Sequence, residues 1–242
     1  MFYFQLLYVR LAELYPSCLF VAVVGEKRIG KTTALRVMAG KLQPNLCRPQ
    51  NPPTWEETWE EIINRFTRPE TRRYLERIRD EDLSVSMMEQ EAGTDRELRN
   101  RTIRQVISSN NLGEPYRLLE ILEKLDLDHS LLSYEPEHLT DGQFQRFSIA
   151  KTVLKHADSY VFDEPFSFLN LRQKAQAAKV IKSVLRRNPK SYVFLAENEP
   201  HLLAYMDAYA CHITGIPQKR GEVVGRPEKI TSAIYLNKKR LV

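Results

Sequence analysis

The fold of this chain is decided by one stretch, Gly25-Glu26-Lys27-Arg28-Ile29-Gly30-Lys31-Thr32, which matches the phosphate-loop pattern G-x-x-x-x-G-K-[ST]. The apolar run 18–24 precedes it and predicts a buried strand. Residues 33–39 carry apolar side chains at helical spacing and stop at Gly40. A strand, a glycine-bounded loop and a helix in this order predict a nucleotide-binding loop.

The chemistry expected of this loop is phosphate binding. Unpaired backbone amides and the positive end of the following helix both favour an anion. We expect the Lys31 ammonium to reach the β- and γ-phosphates of ATP, and the Thr32 hydroxyl to bind Mg²⁺. The residues predicted to bind the nucleotide are Gly25, Ile29, Gly30, Lys31, Thr32 and Thr33.

Composition limits the class of protein. With 242 residues, 43% hydrophobic and 28% charged, the chain is a globular protein with one sizeable core. A net charge of +5 permits a polyanionic partner without requiring one. The three cysteines are scattered, which argues against disulfides, a zinc site or an iron–sulfur cluster and favours a reducing cytoplasm. These are Cys18, Cys47 and Cys211.

The apolar N-terminal stretch, residues 1–24, could be mistaken for a signal peptide. It lacks a basic leader, and Arg10 and Glu13 interrupt it, so it predicts two strands instead. No other stretch is apolar enough to span a membrane, and we expect no membrane partner.

Strands and helices alternate along the rest of the chain. Residues 44–53 are rich in proline and predict a loop, and the polar stretch 89–101 predicts another. A helical pattern runs from 54 to 79, and Pro69 is expected to break it. Its apolar face comprises Trp55, Trp59, Ile62, Ile63 and Phe66. Further helices are predicted over 118–127, 144–154 and 171–187, strands over 159–162 and 192–196, and short strands in the last 30 or so residues.

The helical stretch 54–79 is also the most basic part of the chain. Its arginines are Arg65, Arg68, Arg72, Arg73, Arg77 and Arg79. A solvated helix face and a contact with a phosphate backbone both explain such a cluster.

A second part of the nucleotide site follows the strand 159–162. Asp163 and Glu164 are adjacent carboxylates at a strand end, where an aspartate holds Mg²⁺, usually through water. A glutamate directly after it can act as general base on the attacking water.

The string Leu139-Thr140-Asp141-Gly142-Gln143 resembles the LSGGQ signature of ABC-type ATPases. Together with the phosphate loop, Asp163-Glu164-Pro165 and Ser167-Phe168-Leu169-Asn170, it identifies the chain as a member of that family. The resemblance implies an α/β nucleotide-binding domain with a mixed sheet core and a helical signature subdomain. It also implies that ATP lies between the phosphate loop of one domain and the signature of another.

Longer strings narrow the resemblance to the first nucleotide-binding domain of the ABC-E subfamily, the ribosome-recycling ATPase also called RNase L inhibitor. These strings are GKTTALRVMAGKLQPNL, PPTWEE, EEIINRF, RYLERIRDEDL and LTDGQFQRFSIAKTVLKHADSYVFDEP. The resemblance implies a domain over 1–214 with a helical subdomain at about 90–155, and a hinge-like tail over 215–242. It further implies a helix–loop–helix insertion at about 54–82 that contacts the small ribosomal subunit. The iron–sulfur domain and second ATPase domain of that family are not expected here, and neither is an iron–sulfur cluster.

The resemblance assigns further roles. Gln90 matches the glutamine that senses Mg²⁺ and the attacking water, and Asn198 stands where a switch histidine is expected. Thr140, Asp141, Gly142 and Gln143 would serve the nucleotide of a partner domain. The implied catalytic residues are Glu164, Gln90 and Asn198, and the implied Mg²⁺ residues are Thr32, Gln90 and Asp163.

Several residues depart from the family pattern. Asp141 replaces a glycine and brings a negative charge toward the γ-phosphate. Asn170 replaces an aspartate that couples the two sites, Asn198 carries no charge, and Glu26 is unwelcome in the loop unless it faces solvent. Together these changes predict slow hydrolysis or nearly lost hydrolysis.

Two functions stay open at this point. One is a diverged recycling-type ATPase that pairs with a second ABC domain or with itself, and that acts with the small ribosomal subunit and translation factors. The other is an impaired module that binds ATP or the ribosome without turnover. A transport protein is less favoured, because the match to transporter domains is poorer. An adenine-stacking aromatic could be Tyr3, Phe4 or Tyr8, although core packing is the favoured role for each of them.

Overall fold

The computed structural model describes residues 20–44, 46, 48, 51, 53–88, 100–109, 115–216 and 220–229. Some sequence-based expectations fall outside these residues. They are the roles of Gln90 and of the aromatic residues Tyr3, Phe4 and Tyr8, the first of the two N-terminal strands, and most of the polar loop 89–101.

In the described part of the chain, six strands form one sheet in the order β2-β3-β4-β1-β5-β6. Their bounds are β1 Phe20–Val24, β2 Val85–Met87, β3 Ser159–Asp163, β4 Tyr192–Ala196, β5 Tyr209–Ile216 and β6 Arg220–Lys229. Strands β1 to β5 are parallel, and β6 pairs with β5 in the antiparallel direction. The predicted α/β fold with a mixed sheet is therefore confirmed.

The described helices are α1 Lys31–Met38, α2 Trp55–Ile63, α3 Pro69–Arg79, α4 Ile103–Ser109, α5 Pro115–Lys124, α6 Asp141–Leu154, α7 Leu171–Arg187 and α8 Pro200–Tyr205. Two short 3-10 helices, His129–Ser133 and Pro136–His138, precede α6. The predicted break at Pro69 is confirmed, and this proline opens α3, where its missing N–H leaves no helical bond unmade. None of these helices is both long and apolar enough to cross a membrane.

The alternation of side chains along the strands divides the core in two. Val21 and Val23 of β1 pack with α1, α2 and α3 on one face of the sheet. Ala22 and Val24 pack on the other face with α4 to α8. Because both faces are covered, the central strands β1, β3 and β4 are buried and rich in apolar residues, which is why the sequence marks them clearly.

Helices α2 and α3 form a pair that is tied to the sheet. The Trp55 indole donates to the carbonyl of Arg79 at 3.0 Å, which joins the two helices. The Tyr74 hydroxyl donates to the carbonyl of Met38 at 2.7 Å, which joins α3 to the end of α1. Of the predicted apolar face, Trp59, Ile62, Ile63 and Phe66 are buried and Trp55 is half-buried.

The topology brings three strand ends together. The chain leaves β1 through α1 on one face, but leaves β3 and β4 through α7 and α8 on the other face. Such a change of face opens a crevice at the carboxyl ends of the strands. The register pairs Asp163 of β3 with Ala196 of β4, and Ala196 with Val23 of β1. The loops that follow these three strands therefore meet at one edge of the sheet.

Candidate nucleotide-binding and catalytic site

The phosphate loop joins β1 to α1 through a backbone that needs glycine at two positions. Gly30 adopts a φ of 107° at the N-cap of α1, a conformation that side chains disfavour. A Cβ on Gly25 would lie 2.5 Å from the Ile213 carbonyl oxygen of the neighbouring strand. Any larger residue at either position would displace the loop.

Lys31 is folded back over this loop. Its side chain is 5% exposed, and its ammonium donates to the carbonyls of Gly25 at 2.8 Å and Glu26 at 3.0 Å. Thr32 and Thr33 follow in the first turn of α1, which contains no acidic residue, so its positive dipole end is not neutralised. Glu26 is exposed, which is the arrangement in which an acid in this loop is tolerated.

Asp163 is a buried carboxylate with no donor of its own. It is 2% exposed, and neither side-chain oxygen makes a hydrogen bond among the described residues. Burial raises the pKa of Asp163, and the nearby Thr32 hydroxyl lowers it without reaching hydrogen-bond geometry. A buried, ionised and unpaired carboxylate is unfavourable unless a cation lies against it.

Asp163 and Thr32 together form a site that fits a magnesium ion. Mg²⁺ prefers a few protein oxygen ligands together with water and phosphate, and Asp163 and Thr32 offer a carboxylate and a hydroxyl beside the phosphate loop. When bound, the ion would neutralise charge on the phosphates.

Glu164 differs from its neighbour in environment. Its side chain is 37% exposed, and Oε1 lies 3.9 Å from the Lys31 ammonium nitrogen. Its backbone has a φ of 47°, held by a bond from its N–H to the Ala196 carbonyl at 3.1 Å and by the Gln145 amide, which donates to its carbonyl at 2.9 Å. The pair thus offers a buried acid suited to a cation and a solvent-reachable acid suited to proton transfer.

Asn198 contacts the phosphate loop from the end of β4. Its Oδ1 accepts the N–H of Gly25 at 3.0 Å. Glu197, 9% exposed, organises this turn because its Oε1 accepts the N–H groups of Asn198 at 2.6 Å and Glu199 at 3.2 Å. Burial raises the pKa of Glu197, and these two hydrogen bonds lower it.

Sequence reasoning missed Glu197. The signal was present, because this acid directly follows a buried strand, as Asp163 does.

The signature residues form the start of a helix. Thr140 caps α6: its hydroxyl accepts the Gln143 N–H at 3.4 Å, and the Gln143 side chain accepts the Thr140 N–H at 2.9 Å. Asp141 is exposed in the first turn, where a negative charge is favourable to the helix. A Cβ on Gly142 would lie 3.1 Å from the Phe168 carbonyl oxygen, so this glycine permits close packing.

Asn170 has the same structural role one helix later. Its Oδ1 accepts the Gln173 N–H at 3.0 Å, and the Gln173 side chain accepts the Asn170 N–H at 3.1 Å. Asparagine and aspartate cap helices about equally well. The change from aspartate is therefore neutral for folding.

The predicted site residues fall into two groups. Lys31, Asp163, Glu164 and Asn198 lie at or just beyond the ends of three strands and meet at one edge of the sheet. Among the hydrogen bonds of the described residues, none joins residues 140–143 to the phosphate loop.

The arginine cluster at 65–79 is partly neutralised by acids. Arg77 contacts Asp82 at 3.3 Å and Asp158 at 2.8 Å. Arg79 pairs with Asp80 at 2.7 Å, and Arg65 pairs with Glu61. For these three residues the structure favours the solvated-face interpretation.

The family model described as ABC transporter matches residues 17–167, more than half of the chain. The chain belongs to the ABC family.

Relatives of this ABC chain include translation factors. It is 36% identical over 219 residues to translation initiation factor RLI1 of Chaetomium thermophilum, a match that covers 89% of this chain and 34% of that protein. It is also 36% identical over 203 residues to ABC transporter E family member 1 of Arabidopsis thaliana, covering 84% and 32%. The chain therefore spans about a third of the length of these curated relatives.

A solved structure of a ribosome recycling factor also resembles this chain. In the complex of the archaeal ribosomal stalk protein aP1 and the archaeal ribosome recycling factor aABCE1, the matching chain superposes with a TM-score of 0.75 at 27% identity. The match covers 88% of this chain and 39% of that one. The resemblance to ABC-E proteins inferred from sequence is confirmed.

Proposed function

We propose that this ABC chain binds ATP with Mg²⁺ and hydrolyses it slowly while acting on ribosomes, as a module of the ABC-E type. The observation that carries the proposal is the position of Glu164, which is open to solvent and lies 3.9 Å from Lys31 and next to buried Asp163. A protein that only held a shape would not need an acid in this strained position.

The chain's own residues can perform the reaction as follows. Lys31 exchanges its bonds to the carbonyls of Gly25 and Glu26 for the phosphates, and the loop amides bind the remaining oxygens. Water attacks the γ-phosphorus, its proton passes to the Glu164 carboxylate, and the bond to the β-phosphate oxygen breaks to release ADP. We propose that Gln90 and Asn198 help to orient the attacking water.

The second half of the composite site is proposed to come from a partner. The signature is anchored beside Phe168 and has no hydrogen bond to the phosphate loop among the described residues. This supports a role of residues 140–143 toward the nucleotide of a second ABC domain or a second copy of this chain.

The proposed partners follow from the relatives' names. Those names refer to translation initiation and ribosome recycling, so we propose the small ribosomal subunit and translation factors of the cytoplasm. The helix pair α2–α3, within residues 54–82, is the proposed contact with that subunit.

The test is ATP turnover by the purified chain, with and without small ribosomal subunits. Glu164→Gln should lower turnover by roughly a hundredfold or more, because it removes the general base. The matched control is Glu26→Gln, which removes an exposed acid from the loop and should change turnover less than about twofold. Turnover that survives Glu164→Gln would rule out this site as the source of activity.

A second candidate is an impaired module that binds ATP or the ribosome without turnover. Two observations favour it: the negative charge of Asp141 and the neutral Asn198, which is already bonded to Gly25. ATP binding with no measurable turnover, in the presence of subunits, would establish this candidate instead.

A further inference from the structure

Helix α7, Leu171–Arg187, has an unusual charge composition. It contains six basic residues and no acidic one. In α5, by contrast, Lys124 pairs with Glu120 one turn away. The charge of α7 is therefore not balanced within the helix.

The basic residues of α7 fall into two sets, one on the exposed side of the helix and one with partners within the fold. The buried side of the helix comprises Ala177, Ala178, Val180, Ile181 and Val184. Opposite this side, Arg172, Lys179 and Arg186 recur every seventh residue and are exposed. A seven-residue step returns to nearly the same side of a helix and advances by about 10.5 Å. We call these three residues the α7 basic face.

The remaining cations of α7 are engaged within the fold. Lys174 pairs with Glu199 and Lys182 pairs with Asp207. Arg187 donates to the Val153 carbonyl at 2.8 Å. These three cations therefore already have partners within the fold.

The α7 basic face itself is left open. Among the described residues, Arg172, Lys179 and Arg186 take part in no ion pair or hydrogen bond. Exposed Lys190, just after the helix, extends the same charge. At about 10.5 Å apart the charges lie near one Debye length, so their mutual repulsion is weak while their joint attraction for a polyanion remains.

We propose that the α7 basic face binds the phosphate backbone of RNA. Arginine is well suited to phosphate because its planar group donates two parallel hydrogen bonds. A membrane surface fits less well, since an interfacial helix inserts its apolar side into lipid and the apolar side of α7 is in the protein core. The inference rests on the proposed ribosome association only for the source of the RNA.

The test measures binding of the full chain to a labelled RNA duplex of about two helical turns at several salt concentrations. The variant Arg172→Gln/Lys179→Gln/Arg186→Gln removes the α7 basic face. The matched variant Lys41→Gln/Arg104→Gln/Lys229→Gln removes the same charge from exposed positions outside both α7 and the proposed subunit contact α2–α3. Small ribosomal subunits and phosphatidylserine-containing vesicles serve as further probes.

We expect the α7 variant to weaken RNA binding about tenfold or more near 0.1 M salt, and to reduce the slope of log K against log salt by about 2 units. The matched variant should lose clearly less. Equal losses would overturn the proposal, because binding would then follow net charge rather than this face. A loss of under about threefold in the α7 variant, or binding to vesicles alone, would also overturn it.

Two controls show whether a loss of RNA binding comes from the α7 basic face itself. They exclude unfolding of the chain and loss of the ATP site as its cause. Thermal unfolding should be nearly unchanged, since the three side chains have no partner in the described fold, and Lys179→Gln alone provides a milder variant with about a third of the slope change. ATP turnover is measured on the same samples. Turnover with no RNA binding would overturn the α7 assignment and leave the proposed ATPase in place.

Discussion

The phosphate-loop half of the site (residues 25–32, 163–164 and 197–198) and the signature half (residues 140–143 and 167–170) are held in opposite ways. In the first half, Asp163 is buried without a donor and Glu164 has an unfavourable backbone conformation. In the second half, Thr140 and Asn170 are exposed residues whose side chains cap helices. The first half is arranged for a ligand, and the second is satisfied without one.

This difference explains where the sequence has diverged. Replacing Lys31 or Asp163 would remove the buried ammonium of the phosphate loop or the buried carboxylate beside it. Asp141 and Asn170, by contrast, stabilise the helices that they begin, so folding does not oppose them. Residues 140–143 are therefore a stable helix start, whatever their chemistry toward phosphate.

The largest expected effect is that of Lys31→Ala. The change removes the cation expected to bind phosphate and leaves the carbonyls of Gly25 and Glu26 without their donor. We expect ATP affinity to fall by about 3 kcal/mol, roughly a hundredfold, measured by calorimetric titration. Lys27→Ala, which removes an exposed lysine of the same loop, should change affinity little. Equal effects would show that the loop attracts ATP by overall charge alone.

The next largest effect is a gain in stability, which we expect for Asp163→Asn in the absence of nucleotide. Because burial raises the pKa of Asp163 above its ordinary 3.8, its ionised form opposes folding once the pH exceeds that raised value. The variant should be more stable near neutral pH by about 1 kcal/mol, or roughly 2–4 °C in Tm.

The stability gain from Asp163→Asn should shrink as the pH falls through the raised pKa of Asp163 and vanish below its ordinary 3.8, where the carboxyl is protonated in both states. Melting curves as a function of pH check this, with exposed Glu137→Gln as the control. An unchanged or lower Tm for the Asp163 variant at neutral pH would mean that the carboxylate is not a source of instability.

Asp141→Gly tests the signature half directly. The free energy of unfolding should fall by about 1 kcal/mol, because the helix loses a favourable charge and gains a flexible residue. Turnover should nevertheless rise several-fold, since the variant restores a bare amide toward the γ-phosphate. Asp141→Asn removes the charge and keeps the side chain, so its turnover tells which of the two features slows the reaction.

The smallest effect is expected for Asn170→Asp. Both residues can accept the Gln173 N–H, so stability should change by less than about 0.5 kcal/mol. Asn170→Ala should lose about 1 kcal/mol because no cap remains. Chemical denaturation of the two variants measures the contrast, and a large loss in the aspartate variant would show that the charge is not tolerated at this turn.

The sequence was sufficient to predict the elements that position the site. Strand β4 and helix α7 begin and end where predicted, because each is bounded by turn residues and has a clear apolar pattern. The strand β2 and the helix α8 were missed, since three to six residues contain too little periodicity to recognise.

Pairings over long sequence distances could not be predicted. Arg77 contacts Asp158, which lies 81 residues away, and only the folded sheet brings them together. The arginine-rich stretch therefore appeared more exposed to phosphate than the structure supports. The open cations of α7 were visible in the sequence, but their lack of partners is a property of the fold.

One backbone angle has a consequence for how this protein can change over time. Glu164 precedes a proline and adopts a φ of 47°, which asparagine or glycine would accept more readily. Bonds involving Ala196 and Gln145 keep it there. Under selection for heat resistance alone, asparagine or glycine at this position would be favoured, and each such variant would lack the carboxylate that we propose as the general base. The continued presence of glutamate would then require selection for turnover itself.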